Sequence, residues 1–120
     1  MLTVTISDQL GNQMFAYASV KTIAQNRSES FGFVRAKNNL INDTDKQYGN
    51  EIHTIFSNTK AEFLTELPSE ITHTWEELPL RERTANYQPS ALTVPENTLM
   101  KGHFISCQYF WENRSQVQKW

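Results

Sequence analysis

The first 34 residues restrict the fold most, because two different periodicities follow one another there. Leu2–Ile6 alternates aliphatic residues with threonine, the period of two that is typical of a β-strand. From about Asn12 to Asn26, apolar residues recur at helical spacing, with Ala16 followed by others at i+4, i+7 and i+8. Phe31–Val34 predicts a second strand. A strand, a helix and a strand in this order predict a parallel βαβ unit with a right-handed crossover, and therefore an α/β fold.

The rest of the chain carries weaker signals. A length of 120 residues corresponds to one domain, so residues 1–120 are interpreted as a single unit. The expected segments, in chain order, are a polar loop, one or two short helices, two short strands and a final helix: Lys37–Gln47, Ile52–Leu67, Ile71–Trp75, Leu99–Ile105 and Gln108–Trp120. Because that final helix runs to the last residue, we expect the domain to be truncated.

Composition excludes several classes of protein. Hydrophobic residues make up 38% and aromatic residues 12% of the chain, which excludes an intrinsically disordered protein. A single cysteine excludes a disulfide framework and a cysteine-rich zinc module. The net charge is −2 and there is no basic cluster, so no nucleic-acid partner is expected. No apolar run has the length of a transmembrane helix. We therefore expect a cytoplasmic location, with peripheral contact with a membrane as the alternative.

The turn between the first strand and the helix, Ser7–Gln13, is the first candidate site. In an open α/β sheet, ligands bind at the carboxyl ends of strands, where helix N-termini offer unpaired N–H groups to anions. Gly11 lets the backbone approach a ligand closely, and the amide of Asn12 is both a donor and an acceptor. The alternative is purely structural, with Gly11 turning the chain and Asn12 capping the helix.

Two segments resemble glycosyltransferase family 11, the α-1,2-fucosyltransferases. The first motif, Leu10–Ala18, contains Leu-Gly-Asn-Gln-Met-Phe followed by Tyr-Ala, which is similar to the N-terminal signature of that family. The second motif, Gly102–Phe110, is similar to the family sequence Gly-Tyr-Phe-Gln-Ser-Glu-Lys-Tyr-Phe. The positions shared with it are Gly102, Phe104, Ser106, Tyr109 and Phe110.

This resemblance implies both a fold and an activity. The fold would be GT-B, in which two Rossmann-like domains face a cleft, and this chain would be the N-terminal, acceptor-side half. The reaction would move fucose from GDP-fucose to the 2-hydroxyl of a galactoside, with inversion and without a metal or other cofactor. Asn12 would bind the donor, and Gly11 and Gln13 would support that contact.

The donor-binding domain of such an enzyme is not recognisable in this sequence. Family members hold the leaving pyrophosphate with the arginine of a later His-x-Arg-x-Gly-Asp-type motif. None of His53, His73 and His103 is followed by an arginine two positions later. The resemblance therefore implies that the C-terminal donor domain is missing, that no catalytic residue can be assigned, and that the isolated chain is inactive.

Two further functions remain open as alternatives. One is a stand-alone glycan-binding or interaction module without catalysis, and the other is a fucosyltransferase of another linkage, such as protein O-fucosylation. The paired glycines of the family motif are replaced here by Asp8 and Gln9. This replacement restricts the turn and adds a negative charge near the expected diphosphate.

Other chemically reactive or aromatic residues are interpreted as structural. We expect Cys107 to be a buried small hydrophobe, since no partner for a nucleophile is recognisable. The three histidines lack the spacing of metal ligands, so no metal site is predicted. Core packing is preferred over sugar stacking for Trp75, Trp111 and Trp120. A solvated face, with a partner surface as the alternative, is expected for six acidic residues, Glu62, Glu66, Glu70, Glu76, Glu77 and Glu82.

Overall fold

A small parallel sheet lies at the centre of the protein. The computed structural model describes residues 1–6, 10–35, 52–77, 87–102, 104 and 106–120. Its strands are β1 (Leu2–Ile6), β2 (Phe31–Arg35), β3 (His73–Glu76) and β4 (Thr98–Lys101). Their order across the sheet is β2-β1-β4-β3, and each neighbouring pair is parallel. The predicted α/β class and the parallel pairing of the first two strands are confirmed.

Helical elements connect and cover these strands. The α-helices of the described residues are α1 (Leu10–Asn26), α2 (Ile52–Ile55) and α3 (Arg114–Val117). Short 3-10 helices are at Ser57–Glu62, Pro89–Thr93, Cys107–Tyr109 and Trp111–Asn113. The helix predicted near residues 12–26 and the short helices predicted over 52–67 are confirmed, as is the short strand near residues 71–75.

The central strand β1 is buried because it has a neighbour on both sides. Leu2 is in register with Phe31 of β2 and with Thr98 of β4. The side chains of Leu2 and Val4 are completely buried. They belong to one apolar core together with residues of α1, β2 and β4. Burial of this row contributes roughly 1.5–3 kcal/mol for each large aliphatic side chain.

The helix α1 is buried on more than one side. It packs on β1, on β2 and on the 3-10 helix Cys107–Tyr109. The ring centroids of Phe15 and Phe110 are 6.1 Å apart, and those of Tyr17 and Trp120 are 6.3 Å apart. A helix covered in this way is apolar or small over most of its circumference. Its buried residues are Gln13, Ala16, Tyr17, Ala18, Ser19, Val20, Thr22, Ile23 and Ala24.

The last strand is shorter than the sequence predicts. We expected it over Leu99–Ile105, whereas β4 ends at Lys101. Gly102 has a φ of 155° and Phe104 a φ of 50°, so the backbone leaves the extended conformation there. The turn places the Phe104 side chain in the core, where it is fully buried with its centroid 5.8 Å from that of Trp75. Burial of a large aromatic ring therefore outweighs the local preference for strand.

The predicted final helix over Gln108–Trp120 is wrong in its extent. The backbone is helical in three short pieces, and it is interrupted at Phe110, where φ is −132° and ψ is 6°. The interruption separates the buried Tyr109 from the exposed Trp111. The backbone N–H groups of Phe110 and Asn113 donate to carbonyls three residues earlier, so short 3-10 turns replace the hydrogen bonds of a continuous α-helix here. The loop predicted over Lys37–Gln47 lies outside the described residues.

Candidate functional site

The carboxyl edge of the sheet, where the parallel strands end, is the natural place for a ligand. Strand β1 ends there at Ile6, and α1 begins at Leu10. The chain passes from β1 through α1 to β2 on one side, while β4 flanks β1 on the other side. Open α/β sheets bind ligands outside the carboxyl ends of strands at such a change of direction. The first motif lies at this edge. Ser7, Asp8 and Gln9, which belong to the predicted turn, lie outside the described residues.

Gly11 and Asn12 are in the first turn of α1, so the helix begins earlier than expected. A Cβ added to Gly11 would meet no heavy atom within 4 Å, and the residue is exposed. Asn12 is half-buried, and its side-chain amide makes no hydrogen bond to the described residues. The N–H groups of a first turn have no partner within their helix, and the dipole there favours an anion. The arrangement can thus offer backbone and side-chain donors to a negatively charged group.

Gln13 has a different position from its two neighbours. Its side chain is buried, and Oε1 accepts a hydrogen bond of 2.8 Å from the backbone N–H of Ile52. That N–H is in the first turn of α2 and has no partner within its helix. The bond joins the start of α1 to the start of α2. The amide oxygen of Gln13 is therefore engaged in the fold.

The second motif also lies at the carboxyl edge, next to β3 and β4. The carboxylate of Glu77 accepts hydrogen bonds from the backbone N–H of Phe104 at 3.0 Å and from the hydroxyl of Tyr109 at 3.2 Å. Its backbone N–H donates to the carbonyl of Lys101. A Cβ added to Gly102 would lie 2.5 Å from the Cβ of Glu77, which leaves no room for a side chain. Glu77 thus holds the turn after β4 against the end of β3.

Tyr109 is the second partner of this carboxylate. Its hydroxyl also accepts a hydrogen bond of 3.0 Å from the backbone N–H of Gln88. Burial raises the pKa of Tyr109 to about 12; the Gln88 N–H opposes this shift and the negative charge of Glu77 adds to it. The phenol is therefore a neutral donor at physiological pH. Its two hydrogen bonds connect the segment of Tyr109 to Glu77 and to Gln88.

The predicted solvated face is wrong for Glu77, whose carboxylate holds the turn after β4. It is wrong for Glu62 as well. The Tyr17 hydroxyl donates a short hydrogen bond to Glu62, and Lys21 Nζ is 3.0 Å from Glu62 Oε2. Burial, with help from the Glu62 charge, raises the pKa of Tyr17. A carboxylate that directly follows a predicted strand was the available signal for Glu77, whereas no local pattern distinguishes Glu62.

The two motifs are in contact in the folded chain. Phe15 of the first motif packs against Phe110 of the second. Around α1, an open cleft of about 90 Å³ is lined by Met14, Tyr17, Ala18, Ile52, Phe56, Thr59, Val117 and Trp120. The cleft is mostly apolar and has the volume of a small organic group. The side chain of Lys21 lies beside it, with Nζ 4.5 Å from the Trp120 ring centroid.

Two of the three tryptophans pack against the core, and the third is exposed. Trp75 packs on Phe104, and Trp120 packs on Tyr17, so the core prediction holds for both. It is wrong for Trp111, whose surface is 53% exposed. The guanidinium of Arg114 stacks on that indole ring at 4.6 Å.

The prediction that Cys107 is buried is also wrong. Cys107 is exposed, because it begins a 3-10 helix whose other end turns Tyr109 inward. The ring of His53 stacks on Phe63 with a centroid distance of 3.9 Å, whereas His73 is exposed and His103 is outside the described residues. No group of three or more potential metal ligands occurs within the described part of the chain.

Comparison with known proteins assigns no family to this chain. No family model, curated protein or solved structure matches it. Among the described residues, no helix is both long and apolar enough to cross a membrane.

Proposed function

We propose that this chain is the N-terminal, acceptor-side half of a GT-B glycosyltransferase that resembles the α-1,2-fucosyltransferases. The complete enzyme transfers fucose from GDP-fucose to a hydroxyl of a galactoside, with inversion at the anomeric carbon. One observation carries the proposal. The first motif begins at the N-terminus of α1, at the carboxyl edge of a parallel sheet, which is where open α/β folds bind ligands.

In this proposal Asn12 orients the sugar-phosphate part of the donor. Its side chain is half-buried and makes no hydrogen bond to the described residues, so it remains available to a ligand. The space next to Gly11 is open, which lets a phosphate approach the first-turn backbone N–H groups. Both features favour a diphosphate over a neutral sugar at this point.

Gln13 and the second motif support the same site indirectly. The bond from Ile52 to Gln13 anchors the start of α1, and the packing of Phe110 on Phe15 holds its second turn. Since hydrogen bonds to a phosphate depend on orientation, a fixed helix N-terminus presents its donors with a lower entropy cost. The shared residues of the second motif would then set the geometry rather than the chemistry.

Neutralisation of the leaving pyrophosphate is assigned to residues outside this sequence. The amino-acid sequence contains no His-x-Arg-x-Gly segment. An inverting transfer without a metal needs a fixed positive charge beside the leaving pyrophosphate. For the same reason we propose that the 120 residues alone do not catalyse transfer.

A stand-alone glycan-binding module is the second candidate. The observation that favours it is the exposed Trp111, because an aromatic ring at the surface can bind sugar without any donor site. Titration calorimetry of the 120-residue chain with GDP-fucose tests whether the main donor-binding residues lie in this chain. We expect no detectable heat at micromolar donor. Micromolar affinity would contradict the assignment of the main phosphate-binding residues to another part of the enzyme.

A further inference from the structure

Trp111 is the most exposed of the large hydrophobic residues in the described part of the chain. The others in this group are between 37% and 43% exposed, whereas Trp111 is 53% exposed. Single exposed aliphatic residues are ordinary, but an indole ring left at the surface is more informative. Tryptophan also provides the largest flat surface of any side chain, with an N–H donor at its edge.

The ring of Trp111 has a cation–π contact although it is exposed. The Arg114 guanidinium stacks 4.6 Å from the ring centroid, and Arg114 Nη1 donates a hydrogen bond of 3.0 Å to the Trp111 carbonyl. The indole N–H makes no hydrogen bond to any described residue. The preceding residue, Phe110, is held on α1 by Phe15. A ring with such a contact has less conformational entropy to lose when it binds a partner.

We propose that Trp111 is a stacking platform for the pyranose ring of a galactoside, which lies on the indole face opposite the Arg114 guanidinium and accepts a hydrogen bond from the indole N–H. This inference rests on the proposed function, to which it adds the acceptor site. Galactose has adjacent C–H bonds on one face of its ring, and their positive edges complement the negative face of an aromatic ring.

The position of Trp111 fits an acceptor next to the donor. It directly follows the second motif, which contacts the first motif through Phe110 and Phe15. The packing of Phe110 on Phe15 thus supports both the first motif in α1 and the neighbouring Trp111. Trp75 and Trp120 do not offer this surface, because they are packed on Phe104 and Tyr17.

The test is an NMR titration of the 120-residue chain, labelled with ¹⁵N at its three tryptophans, with methyl β-galactoside. We expect the indole resonance of Trp111 to shift in a saturable way at millimolar sugar, while the other two indoles remain unchanged. Trp111→Ala should weaken binding by about tenfold or more, the size of effect seen when one stacked aromatic ring is removed. Trp111→Phe should retain part of the affinity. Leu92→Ala is the matched control, since it removes another exposed apolar side chain and should not change binding.

Two results would overturn the inference. One is the absence of any shift at the Trp111 indole at tens of millimolar galactoside. The other is unchanged binding in Trp111→Ala with a native spectrum. Because no donor nucleotide is present in this titration, its outcome is independent of the donor site. Galactoside binding at Trp111 combined with no fucosyl transfer by the natural gene product would refute the proposed enzyme and leave the sugar platform intact.

Discussion

Replacing Gly102 by alanine tests whether the turn after β4 is built as described. The added Cβ would lie 2.5 Å from the Cβ of Glu77 and 2.8 Å from its Oε1, and the φ of 155° is one that L side chains rarely adopt. Overpacking of this kind costs about 1–3 kcal/mol, and strain at an unfavourable φ costs about 1–3 kcal/mol. We therefore expect Gly102→Ala to lower the free energy of unfolding by roughly 2–6 kcal/mol, a large part of the total for a domain of this size.

Gly11→Ala is the matched control for this substitution. The same methyl group added there meets no atom within 4 Å, and alanine is preferred over glycine in a helix. We expect a gain in stability of about 0.5–1 kcal/mol. Urea unfolding followed by circular dichroism measures both variants. A Gly102→Ala protein that unfolds within about 0.5 kcal/mol of the parent, with an unchanged m value, would show that the Glu77 contact is not as described.

Two further variants test contacts near the candidate site. Gln13→Ala should lose about 1–3 kcal/mol of stability, since it leaves the buried N–H of Ile52 without its acceptor. Gln13→Met keeps most of the volume but removes the acceptor and should lose a similar amount, and unchanged urea unfolding in both variants would contradict the assigned bond. For Tyr109, the folded pKa of about 12 exceeds the ordinary value of 10.0, so the phenol stabilises the fold fully below pH 10 and loses this effect as the pH rises toward 12. Tyr109→Phe should therefore be less stable at neutral pH but show a shallower loss between pH 10 and 12, and parallel curves for the two proteins would refute this assignment.

The sequence predicts the first half of the fold well because its signals there are local and agree with one another. The alternating apolar residues of β1 are buried as predicted, and so are Ala16, Val20, Ile23 and Ala24 of α1, although threonines of both elements are buried with them. The order strand, helix, strand then leaves a parallel pair as the simplest arrangement. The position of the first motif at the carboxyl edge follows from this order alone.

The second half could not be read in the same way, since tertiary contacts override the local pattern there. The sequence around Phe104 predicts a strand. The backbone of Phe104 instead has a positive φ, and its ring is buried in the core. Gln108–Trp120 has the pattern of one helix, yet the chain is interrupted at Phe110, and Phe110 and Asn113 donate to carbonyls three residues earlier. Side-chain periodicity reports neither the positive φ of Phe104 nor these 3-10 turns. The partners of Glu77 are 27 and 32 residues away in sequence, so no local window contains them.

The most direct test of the central proposal is fucosyl transfer by the full natural gene product and by its Asn12→Ala variant, with melting temperature measured in parallel. We predict transfer from GDP-fucose to the 2-hydroxyl of a galactoside by the parent protein. Loss of one or two hydrogen bonds to a charged group, each contributing roughly 1.5–3 kcal/mol, should lower the rate about tenfold to several hundredfold in the variant. A helix cap alone would instead lose about 1 kcal/mol of stability and leave transfer by the folded molecules nearly unchanged. No fucosyl transfer by the full gene product, or equal transfer by the parent and the variant, would contradict the account.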